Sequence, residues 1–421
     1  MDGKEYLKLN RKNAKKYSVY KKQGYVGYFK IESDFIEKSL IISQPHHHVF
    51  AGYYDINNVS PDGRYLFFLS VSKHASPKHS KADIYLYELA TGESRKLTST
   101  KAWCWQQGAR VRWNPNNSKE LLFNDYRDGS YLCMKLNIEN GHIEVLSHFP
   151  LYDIDFNKQI GYGLDFKRLQ KFRPGYGYCK GSYCCANEHS PKENGLYAVD
   201  LLSQRKRTLF SLSQLASQVE SKPEDYHYLN HICVSPSGKR VMFFHLWTRN
   251  SLDMWKMRLL VTNADGTDLK EIECSDTISH YSWIDDDRLM VTRVLMQGPC
   301  YIIYNCENGT KRIIENNDLI NDGHPSFLGR DGRFISDTYP LTNSLQTLFM
   351  SNINGKSFVP LLTAFSDPRY FIEKRCDMHP RLDMLTNTIN VDSTFSDGLK
   401  KIILLKMGRY CNGGNKDEHQ S

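Results

Sequence analysis

The chain has 421 residues, 40% apolar and 24% charged, with a net charge of +8. That is the balance of a soluble globular protein, and no apolar run approaches the ~20 residues of a membrane span. The eleven cysteines show no regular pairing and follow no apolar signal segment, so reduced thiols and a cytoplasmic location are expected.

Residues 1–36 read as a basic leader. Positions 1–30 hold nine Lys/Arg against two acids, which predicts a solvated, partly helical segment, or one drawn to an acidic partner. Aromatics interleaved with basic residues on one motif are missing, so no nucleic-acid partner is expected.

From residue 37 a phrase recurs: a short strand, a polar turn of Pro, Asp, Asn or Gly, and an apolar strand. It is read in "NNVSPDGRYLFFLS" (57–70), "VRWNPNNSKELLFND" (111–125), "ICVSPSGKRVMFFH" (232–245), "YSWIDDDRLMVTR" (281–293), "PSFLGRDGRFISD" (325–337) and "PRLDMLTNTINVD" (380–392). A second hairpin follows each phrase, with Gly/Asn/Asp turns as in "IYLYELATGESRKLT" and "YIIYNCENGTKRII". Asn114 and Ser235 are 121 residues apart, which makes room for an irregular third unit around "GYGLDFKRLQKFRPGYGYCK" (161–180). Four strands per unit of roughly 45–60 residues is the signature of a β-propeller. An all-β, seven-bladed propeller over 37–407 is predicted. "KSLIISQ" (38–44) supplies the strand that the last unit lacks, and the ring closes without free edges. The polar segment 408–421 is expected to be disordered.

One residue type returns at one place in these phrases. His231, His280, His324 and His379 each stand four positions before the first turn. The same place in successive blades is the same height on a ring, so the four are predicted to line one arc of the channel mouth. Arg110 holds that place in the second blade. His48, Tyr54 and Asp55 come close in the first; of "HHH" (46–48), alternation points His48 inward. Converging imidazoles either bind a metal or move protons. "CKGSYCC" (Cys179, Cys184, Cys185) lacks zinc-knuckle spacing and reads as loop thiols. A nucleophile elbow, a phosphate-binding glycine loop and a Walker motif are all missing, so no nucleotide cofactor is expected.

At "HHHVFAGYYD", "LDFKRLQKFRPGYGY", "YLNHICVSPSGKRVMFFHLW", "ISHYSW", "DGHPSFLGRDGRFISDTYP" and "CDMHPRL", over roughly residues 46–405, the chain resembles the oligogalacturonate-lyase family of seven-bladed propellers. It is most similar to lyase-like proteins of bacterial capsule and exopolysaccharide gene clusters; ulvan and rhamnose–glucuronate lyases share the architecture more distantly. The resemblance implies β-elimination on an acidic, uronate-containing oligosaccharide. It makes His231 the base and His280 and His379 metal ligands. Where the family has a glutamine and a second histidine, this chain has Lys374 and Asp377. His324, Asp377 or Cys376 are the candidate substitute ligands; manganese is the ion implied, or zinc for a His/Cys set. Arg173 stands in for the family's third-blade arginine.

Such a lyase needs a base with pKa near 7, an acid for the leaving oxygen, and a cation to neutralise the uronate carboxylate. A neutral His231 fits the base. Tyr176, Tyr178 and Tyr54 are candidates for the acid or for sugar stacking, and Arg110, Arg173 or a metal for the cation. His48, Tyr54, Tyr178 and Arg381 are candidates for substrate binding, with Arg249 weaker. The alternative reading is a non-catalytic propeller that binds polysaccharide or a glycosyltransferase partner during capsule assembly, and a general protein-interaction propeller is a third.

Overall fold

The polar turns close hairpins for the reason their composition suggests. Gly238, in the "SPSG" turn, sits at φ +75°, and a Cβ there would overlap the Asp155 carboxylate; only glycine suits both demands. A computed structural model describes residues 3–182, 185, 187–250, 254–296, 298–319, 321–329, 331–341 and 343–408. Cys184 and the segment 409–421, for which thiol and tail readings were made, lie outside the described residues.

Seven antiparallel sheets follow one another along the chain. Blade one uses strands His47–Phe50, Tyr65–Ser72, Ala82–Glu88 and Ser94–Thr100, and blade two runs from Arg112–Asn114 to Ile143–Ser147. Blade three is Asp153–Asp155, Ile160–Gly163, Gly195–Asp200 and Lys206–Ser211; blade four runs from Tyr226–Val234 to Lys270–Cys274, and blade five from Ile278–Trp283 to Lys311–Ile313. Blade six spans Ser326–Phe327 to Phe358–Phe365 and gains a fifth strand, Phe29–Ile31, from the N-terminal segment. Blade seven holds Arg381–Asp383, Thr388–Ser393 and Lys401–Met407; its outer strand is Ile36–Ile42, paired in register from Lys38↔Lys406 to Ile42↔Ile402. The fold is the predicted seven-bladed propeller, closed by the N-terminal strand.

Apolar faces of neighbouring blades pack into each other, as where Phe67, Leu69 and Ile84 meet Trp113, Leu121 and Phe123. The first strand of each blade lies innermost, and here the regular ladder breaks. Blade four changes register between Asn230 and Cys233, and blade five between Ile278 and Tyr281. His231 has φ 56°, Arg110 φ 51° and His379 φ 48°. A bulge of this kind re-aims a side chain, and a left-handed φ on a non-glycine residue costs about 1–3 kcal/mol that surrounding packing must offset. Simple alternation along this strand would put His231, Cys233 and Ser235 on one face; the bulge resets it.

Two helices matter for the site. The first, α1 (Gly3–Lys22), lies beside blades six and seven: Tyr6 meets Phe371, Tyr17 and Tyr20 meet Phe365, and the Arg369 guanidinium sits 3.6 Å over the Tyr17 ring. The second, α2 (Phe166–Phe172), interrupts blade three. Asp165 caps it, accepting from the N–H groups of Lys167 and Arg168, and Phe166, Leu169 and Phe172 are buried. It delivers Arg173 and the "PGYGY" turn to the channel, where the Gln170 side chain accepts from the N–H groups of Gly175 and Gly177.

Candidate active site

The innermost strands, which hold His231 and His280, and the segments leading into them, which hold His324 and His379, carry four imidazoles to one place. Ring centroids of His280 and His324 are 3.9 Å apart, and those of His324 and His379 4.6 Å. Tyr53 links this trio to the fourth: its ring stacks on His231 at 5.1 Å and meets His379 edge-on at 4.8 Å. All four histidines are 3% exposed or less. A cavity of about 540 Å³ lies beside this cluster, lined by Tyr339, Arg375 and Asp377 among others; the Tyr339 ring, which meets His280 and His324, and Asp377 stand between it and the imidazoles.

Each histidine of the trio is held by one nitrogen. His324 Nδ1 lies 2.9 Å from Asp337 Oδ1, His280 Nδ1 3.1 Å from Asp322 Oδ1, and His379 Nδ1 3.1 Å from the Gly52 carbonyl. The Nε2 atoms of His324 and His379 are buried without a hydrogen-bond partner among the described residues. Ligating atoms of His324, Asp377 and His379 all fall within 4.8 Å of one another. Orphaned imidazole nitrogens facing a carboxylate, each ring oriented by a second partner, fit a divalent ion. The donor set is nitrogen and oxygen. Cys376 is not part of it: the clustered ligand atoms come from His324, Asp377 and His379.

His231 is set up differently. Its Nδ1 lies 3.3 Å from the Tyr152 hydroxyl, which accepts from Gln107 Nε2 at 2.7 Å and reaches Asn230 Oδ1 at 3.4 Å. With the phenol proton directed to Asn230, its oxygen accepts from His231 Nδ1–H, and Nε2 keeps the lone pair. Burial pushes the His231 pKa well below its ordinary value, and the nearby Arg173 charge adds to the shift; the ring is neutral at physiological pH, with a pKa below the value near 7 expected of the base. His280 and His379 are also lowered, by burial first and then by His324. Burial acts on His324 in the same sense, but Asp337 outweighs it and holds that ring above the ordinary value. Asp377 is kept low against its burial by Arg375, whose Nε donates to it at 2.7 Å.

The other residues singled out from the sequence divide in two. Tyr176 and Arg173 reach the site. The Arg375 guanidinium donates to the Tyr176 hydroxyl at 2.6 Å, the Tyr176 ring meets His231 edge-on, and Arg173 lies between the Tyr176 and Trp255 rings at 4.6 and 4.5 Å. Arg173 makes no ion pair among the described residues, and its Nε has no partner.

The remainder are engaged in the frame. Arg110 forms a two-pronged pair with Asp55 at 2.9 Å and donates to the Tyr152 carbonyl, so its fork is occupied. Arg381 is tied to the Gly52 and Tyr53 carbonyls and Asp392. The Tyr54 ring touches His280 and His324, but its hydroxyl is locked to the Tyr281 backbone. Tyr178 stacks on Phe166 and accepts from Asn124. His48 packs against Trp105 and Tyr370 and accepts from Lys400 N–H. Lys374 lies over Trp105, and Arg249 pairs with Glu224 at the surface.

Tyr53, Tyr152, Tyr339 and Arg375 belong to the site and were not singled out from the sequence. Tyr54, not Tyr53, was expected close to the site; residues 51–57 form a loop, turning at Gly52 with φ +109°, so no strand period marks either tyrosine.

The sequence matches no protein-family model and no curated protein. Among solved structures, the oligogalacturonate lyase of Vibrio parahaemolyticus aligns over 91% of this chain and 97% of its own, with TM-score 0.63 and 14% identity. The fold is that of an oligogalacturonate lyase. A second such lyase, solved in complex with manganese, aligns over 91% of this chain and 96% of its own at TM-score 0.60 and 15% identity. At these identities the likeness to the oligogalacturonate lyases is one of architecture. The nine described cysteines are free thiols, and no described helix is long and apolar enough to cross a membrane.

Proposed function

We propose that the protein is a polysaccharide lyase that cleaves an acidic, uronate-containing oligosaccharide by β-elimination. The observation that carries this reading is a neutral imidazole, His231, beside a guanidinium, Arg173, that has no carboxylate of its own among the described residues. A buried or half-buried cation without a counter-ion suits a ligand that brings one.

In this reading Arg173 pairs with the uronate carboxylate, which otherwise makes the neighbouring C5 proton too weakly acidic to remove. His231 Nε2 takes that proton. The C5–H electron pair becomes the C4=C5 double bond as the C4–O bond breaks. Tyr53 gives its proton to the departing oxygen: burial keeps this phenol protonated well above its ordinary range, and its hydroxyl has no hydrogen-bond partner among the described residues. Tyr176, fixed by Arg375, forms a wall for the sugar ring. His324, Asp377 and His379 would hold a divalent ion, which when bound supplies Lewis-acid neutralisation of the carboxylate.

The test is a uronate-oligosaccharide panel followed by ultraviolet absorbance of the unsaturated product. His231→Ala should lower kcat/KM by about 10²–10⁴, and Tyr53→Phe should lower kcat while leaving binding intact. Turnover that survives His231→Ala would rule out the base assignment. Lack of product from any uronate, with sugar binding retained, would instead support a binding propeller.

A further inference from the structure

The described part of α1 carries eight Lys/Arg and a single acid, Glu5. Five of them, Lys8, Arg11, Lys12, Lys15 and Lys16, recur at the spacing of one helix face and line one groove that ends at Tyr20. None of the five forms an ion pair among the described residues. Lys16 and Tyr20 also line the cavity that opens on Asp377 and Arg375. The stripe from Lys8 to Tyr20 is about 18 Å long at 1.5 Å per residue, so an unneutralised positive track leads out of the cavity across the surface.

We infer that α1 is the outer part of the saccharide site: its lysines take the carboxylates of sugar units beyond those held in the cavity, and the ligand is a polyanionic chain rather than a single disaccharide. The inference rests on the reading of the cavity as a uronate site. Exposed charge pairs are individually weak and screened by salt, but a row of them at the spacing of a charged polymer adds up and steers its approach. An anionic membrane would also attract the stripe. That partner is less favoured because Tyr17 and Tyr20 already pack on Phe365, which leaves Tyr6, Leu7 and Val19 as the exposed large apolar side chains among the described residues of the helix, short of the apolar face an in-plane helix buries.

The full-length protein and its K8Q/R11Q/K12Q/K15Q variant can be compared by calorimetry with a galacturonate dimer and a longer galacturonate oligomer. These side chains are exposed, and matching melting temperatures would verify that the variant folds. At low salt the wild type should bind the oligomer about tenfold more tightly than the dimer, the variant should lose that gain while binding the dimer equally, and added salt should erase the difference. A length gain that persists in the variant overturns the inference and leaves the cavity reading intact. An oligomer that binds through α1 while no dimer binds retains the helix as a polyanion site and overturns the cavity reading. If phosphatidylserine vesicles bind and lose binding in the variant while saccharide affinities do not change, the stripe is a membrane surface and the inference fails.

Discussion

At the scale of single residues the protein relies on histidines kept uncharged by burial. His48 and His227 lie outside the candidate ligand set, and burial lowers each to about 4. Between pH 4 and 6.5 the unfolded chain binds protons at these positions and the folded chain does not. Stability is therefore full above pH 6.5 and falls as the pH drops toward 4, by up to about 3 kcal/mol for each residue. Urea midpoints measured across this window should decline with acid, and His227→Gln should flatten the slope; a midpoint constant over the window would refute the assignment. The four channel histidines were legible in the sequence because hairpin phrases mark strand positions and the ring converts equal positions into proximity. Tyr53 and Tyr152 were not legible, because each owes its place to a loop or a cross-blade contact that no local period encodes. Arginine roles were obscured for a related reason: Arg110 and Arg381 look free in a sequence, and only the fold shows Asp55 and two backbone carbonyls already holding them.

At the scale of elements, the insertion in blade three does the most for the site. Its seven-residue helix is too short to be stable alone and depends on burying Phe166, Leu169 and Phe172. The sequence held the signal in "LDFKRLQKF", a capping Asp165 followed by apolar residues three apart, but it sat inside a chain otherwise read as strands. Gly177 keeps the return turn tight: a Cβ there would overlap the Phe166 carbonyl and the Gln170 N–H. Gly177→Ala should therefore cost about 1–3 kcal/mol, as overpacking does. If the proposed function holds, it should also weaken uronate binding by moving Tyr176 and Arg173, which a thermal melt and a titration on the same sample would check. An unchanged melting temperature would show that the turn can relax. The bulge that holds His231 is the second element-scale device. A regular strand would have left His231 with ordinary backbone and a differently aimed side chain, while Arg110 and His379 take the same left-handed φ just before their strands begin.

For the molecule as a whole, blade number and the closing strand followed from counting turns, because each blade repeats the same four-strand order. The fifth strand of blade six was not foreseen, since Phe29–Ile31 is three residues long and carries no turn signal. Closure invites a direct test. A variant that begins after Ile42 would leave the Lys401–Met407 strand, with Ile402, Ile403 and Leu405, as an open edge. It should self-associate on size exclusion and lose cooperative unfolding; a monomer that melts like the parent would show that the ring does not need its clasp. The clasp also sets a schedule. Ile42 and its partner Ile402 are 360 positions apart, so at roughly 5–20 residues per second a ribosome finishes the second strand about twenty to seventy seconds after the first. Throughout that interval the nascent chain carries one half of its last ladder without the other. Newborn copies are thus expected to require chaperone shelter, and refolding in dilute solution to finish with one slow, long-range docking step.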